Sequence, residues 1–186
     1  MSTLQREELE KTLSDLNSTQ LKTLETWTHL TIKKILFDTE KDSWSANNCP
    51  LNSRILYKNR LLFLIENEDG QMYGYYLNTT IPEKYEQIIE TDEKSFHFNL
   101  NANNRLPFPM KFEIRDTVWG GISLQHEKSE SLIFLGDLVL MKSEKKNQSY
   151  CWESHDLFNY HITGHPLCGK VRDKFTVKRV RVFQMG

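Results

Sequence analysis

A chain of 186 residues with 38% apolar and 26% charged residues has the length of one ordinary globular domain, and this balance excludes both a disordered and a membranous polypeptide. No stretch approaches the ~18 consecutive apolar residues of a membrane span, and the polar, acidic start lacks the basic-then-apolar pattern of a secretory leader. The formal net charge of −1 selects no class of partner by itself.

Residues 2 to about 30 read as a helical arm. Ser2 and Gln5 fit a capping box, Glu7 and Glu8 fall in the first turn where the helix dipole favours anions, and Leu9, Leu13 and Leu16 form one apolar stripe. After the break and new cap at Asn17-Ser18-Thr19, the stripe continues through Leu21, Leu24, Trp27 and Leu30. Two uses fit it: a short coiled-coil arm for homodimerisation, or a helical pair packed on its own domain.

From Lys33 onward the pattern turns to short strands, beginning with Ile35-Leu36-Phe37, and residues 42–52 read as a loop or weak helix carrying Trp44. Leu61-Leu62-Phe63-Leu64-Ile65 has no polar alternation, so both of its faces are expected to be covered. With Glu66-Asn67-Glu68-Asp69-Gly70 and the Tyr-rich run after it, this stretch predicts a central antiparallel hairpin. Residues 79–91 are polar, contain Pro82, and read as a surface loop with a helical turn.

Phe96, Phe98 and Leu100 alternate with His97 and Asn99, and Met110, Phe112 and Ile114 alternate with Lys111, Glu113 and Arg115, which predicts two strands with one wet face each. Residues 101–109, rich in Asn and Pro, link them. Further short strands follow Gly120-Gly121, span 132–135 and 138–141 around Gly136-Asp137, and span 150–152. The last strand, 175–183, breaks parity, and a bulge at Lys178-Arg179 would restore a common inward face for its valines and leave Arg179 and Arg181 pointing outward. Strands of this length and spacing predict a mainly β fold with flanking helices: a two-sheet antiparallel β-sandwich over residues 31–186 preceded by the arm over 1–30.

Several of these segments resemble a known family, the TLDc domains. Ile35-Leu36-Phe37 with Asp42-Ser43-Trp44-Ser45-Ala46 is similar to that family's apolar strand and its Gly-Phe-Ser-Ala-like segment. Asp69-Gly70-Gln71-Met72-Tyr73-Gly74-Tyr75-Tyr76 resembles Asp-Gly-x-Val-Phe-Gly-Gly-Tyr. Residues 92–100 resemble Asp-x-x-x-Phe-x-Phe-x-Leu, Leu135-Gly136-Asp137-Leu138 resembles Gly-Gly-Asp-Leu, and 175–183 resembles the closing strand. The order and spacing agree from about residue 24 to the C-terminus. Tyr75 and Leu135 replace glycines of the pattern, and Val180-Arg181-Val182 stands where the family usually has an acidic residue between valines. The resemblance implies a two-sheet sandwich, roles in oxidation resistance and stress response, docking on assemblies such as the vacuolar proton pump, and no agreed catalytic residue.

Three constellations bear on chemistry. Cys151, His155, His161, His165 and Cys168 offer zinc-type ligands, but with three, five, three and two intervening residues they match no familiar finger. Cys168 near His161 or His165 lacks the glycine elbow that nucleophilic catalysis would require, and there is no phosphate loop or dinucleotide fingerprint. Neither an enzymatic activity nor a cofactor is therefore expected. His97 reads as a hydrogen-bonded structural histidine, and Trp119 and Trp152 read as core or sandwich-edge aromatics.

The remaining signal is charge. From Gly169 onward Lys170, Arg172, Lys174, Lys178, Arg179 and Arg181 face the single Asp173, a local excess of +5 against −6 for the rest. Two arginines about 6.6 Å apart on one strand face would suit a polyanion, with duplex DNA and transcriptional regulation as the sharpest version and an acidic protein surface as the other. The same residues would also serve as charges guarding a sheet edge. Three cysteines, odd in number and including the isolated Cys49, argue for a reducing compartment, hence a cytoplasmic or nuclear location in which the triplets at Asn17, Asn78 and Asn147 stay unglycosylated. The expected protein is a non-enzymatic regulatory binding module.

Overall fold

A computed structural model describes residues 2–162, 165–169 and 174–186. In chain order its elements are helices α1 (Thr3–Thr12) and α2 (Ser18–Thr28), strand β1 (Ile32–Asp38), helix α3 (Leu51–Ile55), and strands β2 (Leu61–Asn67), β3 (Met72–Leu77), β4 (Phe96–Asn101), β5 (Met110–Glu113), β6 (Ile122–Leu124), β7 (Ser131–Leu135), β8 (Leu138–Met141), β9 (Ser149–Cys151), β10 (Lys174–Phe175) and β11 (Val177–Met185). The strands form a six-stranded sheet, β1-β11-β2-β3-β4-β5, and a five-stranded sheet, β10-β9-β8-β7-β6, both antiparallel throughout. The protein is thus a mainly β two-sheet sandwich with flanking helices.

The expected hairpin is β2 and β3, and both strands are buried along their whole length. Leu61, Phe63 and Ile65 enter the core between the sheets, while Leu62 and Leu64 enter a second core on the opposite face. Five apolar residues in a row are needed because each face meets a different layer. The connecting turn closes on Asn67, whose Oδ1 accepts from Asp69 N at 3.1 Å and Gln71 N at 3.0 Å. Gly70 takes the left-handed conformation there, with φ of +79°.

The second core explains the N-terminal arm. Both capping boxes form, Ser2 with Gln5 and Asn17 with Gln20. Leu9, Leu16 and Leu24 then pack on Leu62, Leu64, Phe96, Phe98, Phe183 and Met185, with the Trp27 ring meeting Phe96 edge-on at 6.2 Å. The stripe offered above as a homodimerisation surface is therefore occupied by the chain's own sheet. Covering this face also corrects the expectation of a wet face on β4, since Phe96 and Phe98 lie under the helices while His97 and Asn99 lie between the sheets, all buried. On β5 the expected alternation is present, with Phe112 buried and Glu113 exposed.

Residues 79–91 differ from the reading as a loop with a helical turn. They run beside β6 through bridges from Tyr85 to Leu124 and from Ile89 to Ile122, with Ile81 and Ile89 buried. The predicted last strand proves to be two. Lys174–Phe175 pairs with β9 in the smaller sheet, the chain crosses at Thr176, and Val177–Met185 pairs with β1 and β2 in the larger one. The parity break arises from that crossing together with a register shift between Val177 and Arg179, the bulge expected there, which returns Val177, Val180 and Val182 to the inter-sheet core.

The helix layer is testable by a contrast within the arm. Leu24→Ala, at a fully buried position, should cost about 2–4 kcal/mol of unfolding free energy, whereas Leu4→Ala, 78% exposed, should stay within about 0.5 kcal/mol of wild type. Urea denaturation of both variants measures the difference, and equal stabilities would mean that the arm does not pack as described.

Candidate functional site

The basic C-terminal strip is not presented to solvent as expected. Alternation does put Arg179 and Arg181 opposite the valines, but that side of β11 lies beneath the helical arm. Arg181 is fully buried, donating from Nη1 to Thr12 O at 2.8 Å and Asp15 Oδ1 at 2.6 Å. Arg179 holds Asp38 with two parallel bonds, Nε to Oδ1 at 2.9 Å and Nη2 to Oδ2 at 2.7 Å, and reaches Glu40 at 3.0 Å. Burial alone would push the Asp38 carboxyl up, but these bonds, the Glu40 backbone N–H and the two guanidinium charges outweigh it and hold Asp38 below the ordinary carboxylate value. The arginines thus join the α1–α2 turn, β1 and β11.

The other basic candidates scatter. Lys178 is paired with Glu66 at 2.6 Å, Lys174 is exposed, and Lys170 and Arg172 lie outside the described residues. Lys145 and Lys146, near the same strands in a 3₁₀ turn over Ser143–Gln148, pair with Glu130 and Glu68, and the buried Lys142 donates to Glu127 O.

Of the zinc-type candidates, the Cys151 and Cys168 thiols come within hydrogen-bond reach of each other, while the histidines turn to other partners. Cys151 and Cys168 are buried, His161 pairs with Glu113 at 3.1 Å, His165 lies 3.2 Å from Glu153, and the exposed His155 packs edge-on against Tyr160. Among the described residues no set of three or more His, Cys, Asp or Glu side chains is arranged to hold a metal ion.

The structure assembles instead a groove that the sequence reading did not single out. It has a volume of about 560 Å³ and lies on the smaller sheet, lined by Phe134, Ile122, Gly121 and Gly136, with Trp119 and Trp152 as its largest aromatic side chains. Trp119 is 63% and Trp152 60% exposed, so of the two readings, core or sandwich-edge aromatics, the core one does not hold. Asp156, exposed, is the charged residue in the lining.

Both tryptophans stand on fixed backbone. Asp116 Oδ1 accepts from Val118 N at 3.0 Å and Trp119 N at 2.9 Å, an Asx turn that lifts the indole away from the core. Trp152 N donates to Asp137 O at 3.1 Å, and its ring meets Tyr150 at 5.1 Å. The groove floor requires a glycine at 136, where φ is +61° and an added Cβ would come within 2.6 Å of the Phe158 ring. In the sequence, the signal that could have exposed this site is Asp116 three residues before Trp119, with Gly120-Gly121 directly after.

Beneath the groove floor lies a closed polar chain. Tyr160 Oη sits 3.0 Å from Asp137 Oδ1 and 2.9 Å from His97 Nδ1, His97 Nε2 sits 2.8 Å from Leu135 O, and Ser154 N donates to Asp137 Oδ2 at 2.5 Å. Because a carbonyl oxygen only accepts, Nε2 carries a hydrogen. Burial pushes the Asp137 carboxyl up and the His97 imidazole down. The Tyr160 hydroxyl donates to the Asp137 carboxyl group, and burial favours the neutral imidazole of His97, with its hydrogen on Nε2. All three side chains are fully buried, Phe158 stacks on the imidazole at 3.9 Å, and through Asp137 they brace the loop carrying Trp152. His97 is thus the hydrogen-bonded structural histidine expected from the sequence.

Two measurements follow. In imidazole ¹⁵N spectra, His97 should hold the Nε2–H neutral form and titrate below the ordinary histidine value of 6.5; an imidazolium persisting above it would refute the neutral imidazole. Arg179→Gln should lose roughly 3 kcal/mol at pH 7 by stranding Asp38. Since Asp38 titrates below its ordinary 3.8 when folded, its contribution is complete above that value and is lost as pH falls through the folded pKa. Denaturation midpoints of wild type and variant should therefore converge on acidification below about pH 4, and a constant gap would exclude the pairing as its source.

No protein-family model matches the chain, and no curated protein matches it. The likeness to TLDc domains is carried by the sequence motifs quoted above.

Proposed function

We propose that this protein is a non-enzymatic docking module in which the groove between Trp119 and Trp152 takes a short apolar segment of a partner protein. The observation that carries the reading is the pair of tryptophans held more than half exposed on hydrogen-bonded turns. Exposed aromatic side chains on rigid backbone supply large contact area at small entropic cost, the property that enriches Trp at interface hot spots. With Asp156 as the charged group of the lining, the complementary segment has a basic residue beside its apolar anchor.

The TLDc resemblance supplies the class of partner, a protein assembly of the proton-pump kind, and the stress-linked regulatory setting. The burial of Arg181 and the carboxylate pairing of Arg179 withdraw the two residues on which the duplex-DNA reading relied, so docking on protein is the better supported of the two.

Selection from a phage-displayed library of random twelve-residue peptides tests the proposal. Wild-type protein should enrich sequences with an apolar residue next to Arg or Lys, and Trp119→Ala/Trp152→Ala should weaken their binding at least tenfold, on the order of 1.4 kcal/mol. Enrichment of peptides that bind the double variant equally well would sink the groove as the docking site.

A further inference from the structure

The segment between β4 and β5 ends in Pro107-Phe108-Pro109, and Phe108 is 62% exposed. A large aromatic side chain displayed between two prolines is unusual for a linking turn. The proline rings fix φ on both sides of it, so the tip loses little further freedom on contact. The base of the segment is anchored as well: Leu106 is buried, Asn103 N donates to Asn101 Oδ1 at 3.0 Å, and Arg105 donates from its backbone to Ala102 O at 3.0 Å and from Nη1 to His165 O at 2.9 Å. Phe108 is thus presented on a supported tip, with Arg105 three residues before it and Lys111 three after.

These are the features that the groove calls for. Proline-containing extended segments dock in aromatic-lined grooves because their conformation is already set. A phenylalanine fits a cleft of about 560 Å³ lined by Phe134 and Ile122 between two tryptophans, and the exposed Arg105 is the flanking cation suited to Asp156, since Lys111 Nζ already lies over the Phe96 ring at 4.8 Å.

The topology relates the two features. β5 begins at Met110, next to the tip, and ends at Glu113; the chain then passes through the Ile114 to Phe158 bridge into the Asp116 turn that carries Trp119. Tip and groove rim therefore lie toward opposite ends of one edge strand, about 20 Å of chain apart at the usual rise per residue. Two copies set antiparallel along that strand would each offer a tip at the end where the other has a groove. Such a pairing is self-complementary and closes with two identical contacts.

We propose that a second copy of this chain is the groove's resident occupant, each Pro107-Phe108-Pro109 tip seated between Trp119 and Trp152 of its neighbour. This inference rests on the docking reading of the groove and names one occupant for it. A partner segment that binds more tightly would release the pair.

Sedimentation equilibrium of the full chain between about 5 and 200 μM, a range that spans micromolar affinity, is the test. Wild type should reach twice the 22.0 kDa chain mass, and Phe108→Ala and Trp119→Ala should each remain monomeric. An equimolar mixture of the two variants should associate again, at least about tenfold more weakly than wild type, because one intact contact of two survives. Phe108 lies mostly outside the core, so Phe108→Ala should keep the wild-type melting temperature; if Trp119→Ala fails to fold, Trp152→Ala takes its place. A monomeric wild type at the highest concentration, or a Phe108→Ala variant that pairs as tightly as wild type, overturns the inference. If the peptide selection succeeds while the wild type is monomeric, the groove docks a different protein, and if both fail the groove reading falls too.

Discussion

The structure depends on the burial of one sheet from both sides. β2, β3 and β11 form the middle of the six-stranded sheet, and side chains on one face fill the space between the sheets while those on the other meet the helical arm. A strand in that position has no side open to water, so its polar residues take their partners from inside the protein, with the Tyr73 hydroxyl and the Nε and Nη2 of Arg181 left without a hydrogen-bond partner among the described residues. The two polar sets that the sheet carries follow from this. Arg179 and Arg181 on β11 take their acceptors from the α1–α2 turn and from Asp38 and Glu40, and His97 and Asn99 on β4 take theirs from Tyr160, Leu135 and Leu167. Each set ties the sheet to one of its neighbouring layers, the first to the helices and the second to the loops behind the smaller sheet.

That arrangement sorts what could be read from the chain. The uninterrupted run Leu61-Leu62-Phe63-Leu64-Ile65 was sufficient to infer two-sided burial, because nothing in it tolerates water on either face. The capping box at Ser2 and the bulge near Lys178 were likewise visible, since both are set by residues close in sequence. The alternation of Phe96 with His97 was ambiguous in a definable way: period two says that the faces differ, but a face of polar residues is the same pattern whether it meets water or a buried hydrogen-bonded network. Arg181 was misplaced for the same reason, since its carboxylate partner Asp15 lies on another element, 166 residues away. For the tryptophans, composition left core and sandwich edge equally open; the Asp116 turn, which holds the backbone of Trp119, is the feature that decides between them there.

The same physics separates scaffold from site. A histidine and a tyrosine with a carboxyl close by are buried between the sheets, where low polarity shifts each toward its neutral form. Their hydrogen bonds also have a mechanical effect. Asp137 receives Ser154 N with its carboxyl group and Trp152 N with its backbone oxygen, so one residue holds the chain leaving β9 at Trp152 and again two residues later. A buried polar chain of this kind gives a loop the rigidity of a strand without using more sheet.

Rigidity is also what makes an exposed indole useful. An aromatic ring on a mobile loop would have to be ordered on each binding event, at a cost of roughly 0.5–1.5 kcal/mol for each rotamer-rich side chain immobilised and more for its backbone. Here the ordering cost was met during folding, by an Asx turn under one tryptophan and a carboxyl anchor beside the other. The same argument applies to Phe108, held between two prolines above the buried Leu106. A protein that spends local hydrogen bonds and prolines to hold apolar side chains out in water lowers its solubility unless those side chains are covered in use. In the closed pair proposed above each exposed feature would cover the other, and the apolar stripe of the helical arm, packed on the chain's own sheet, would not be called upon.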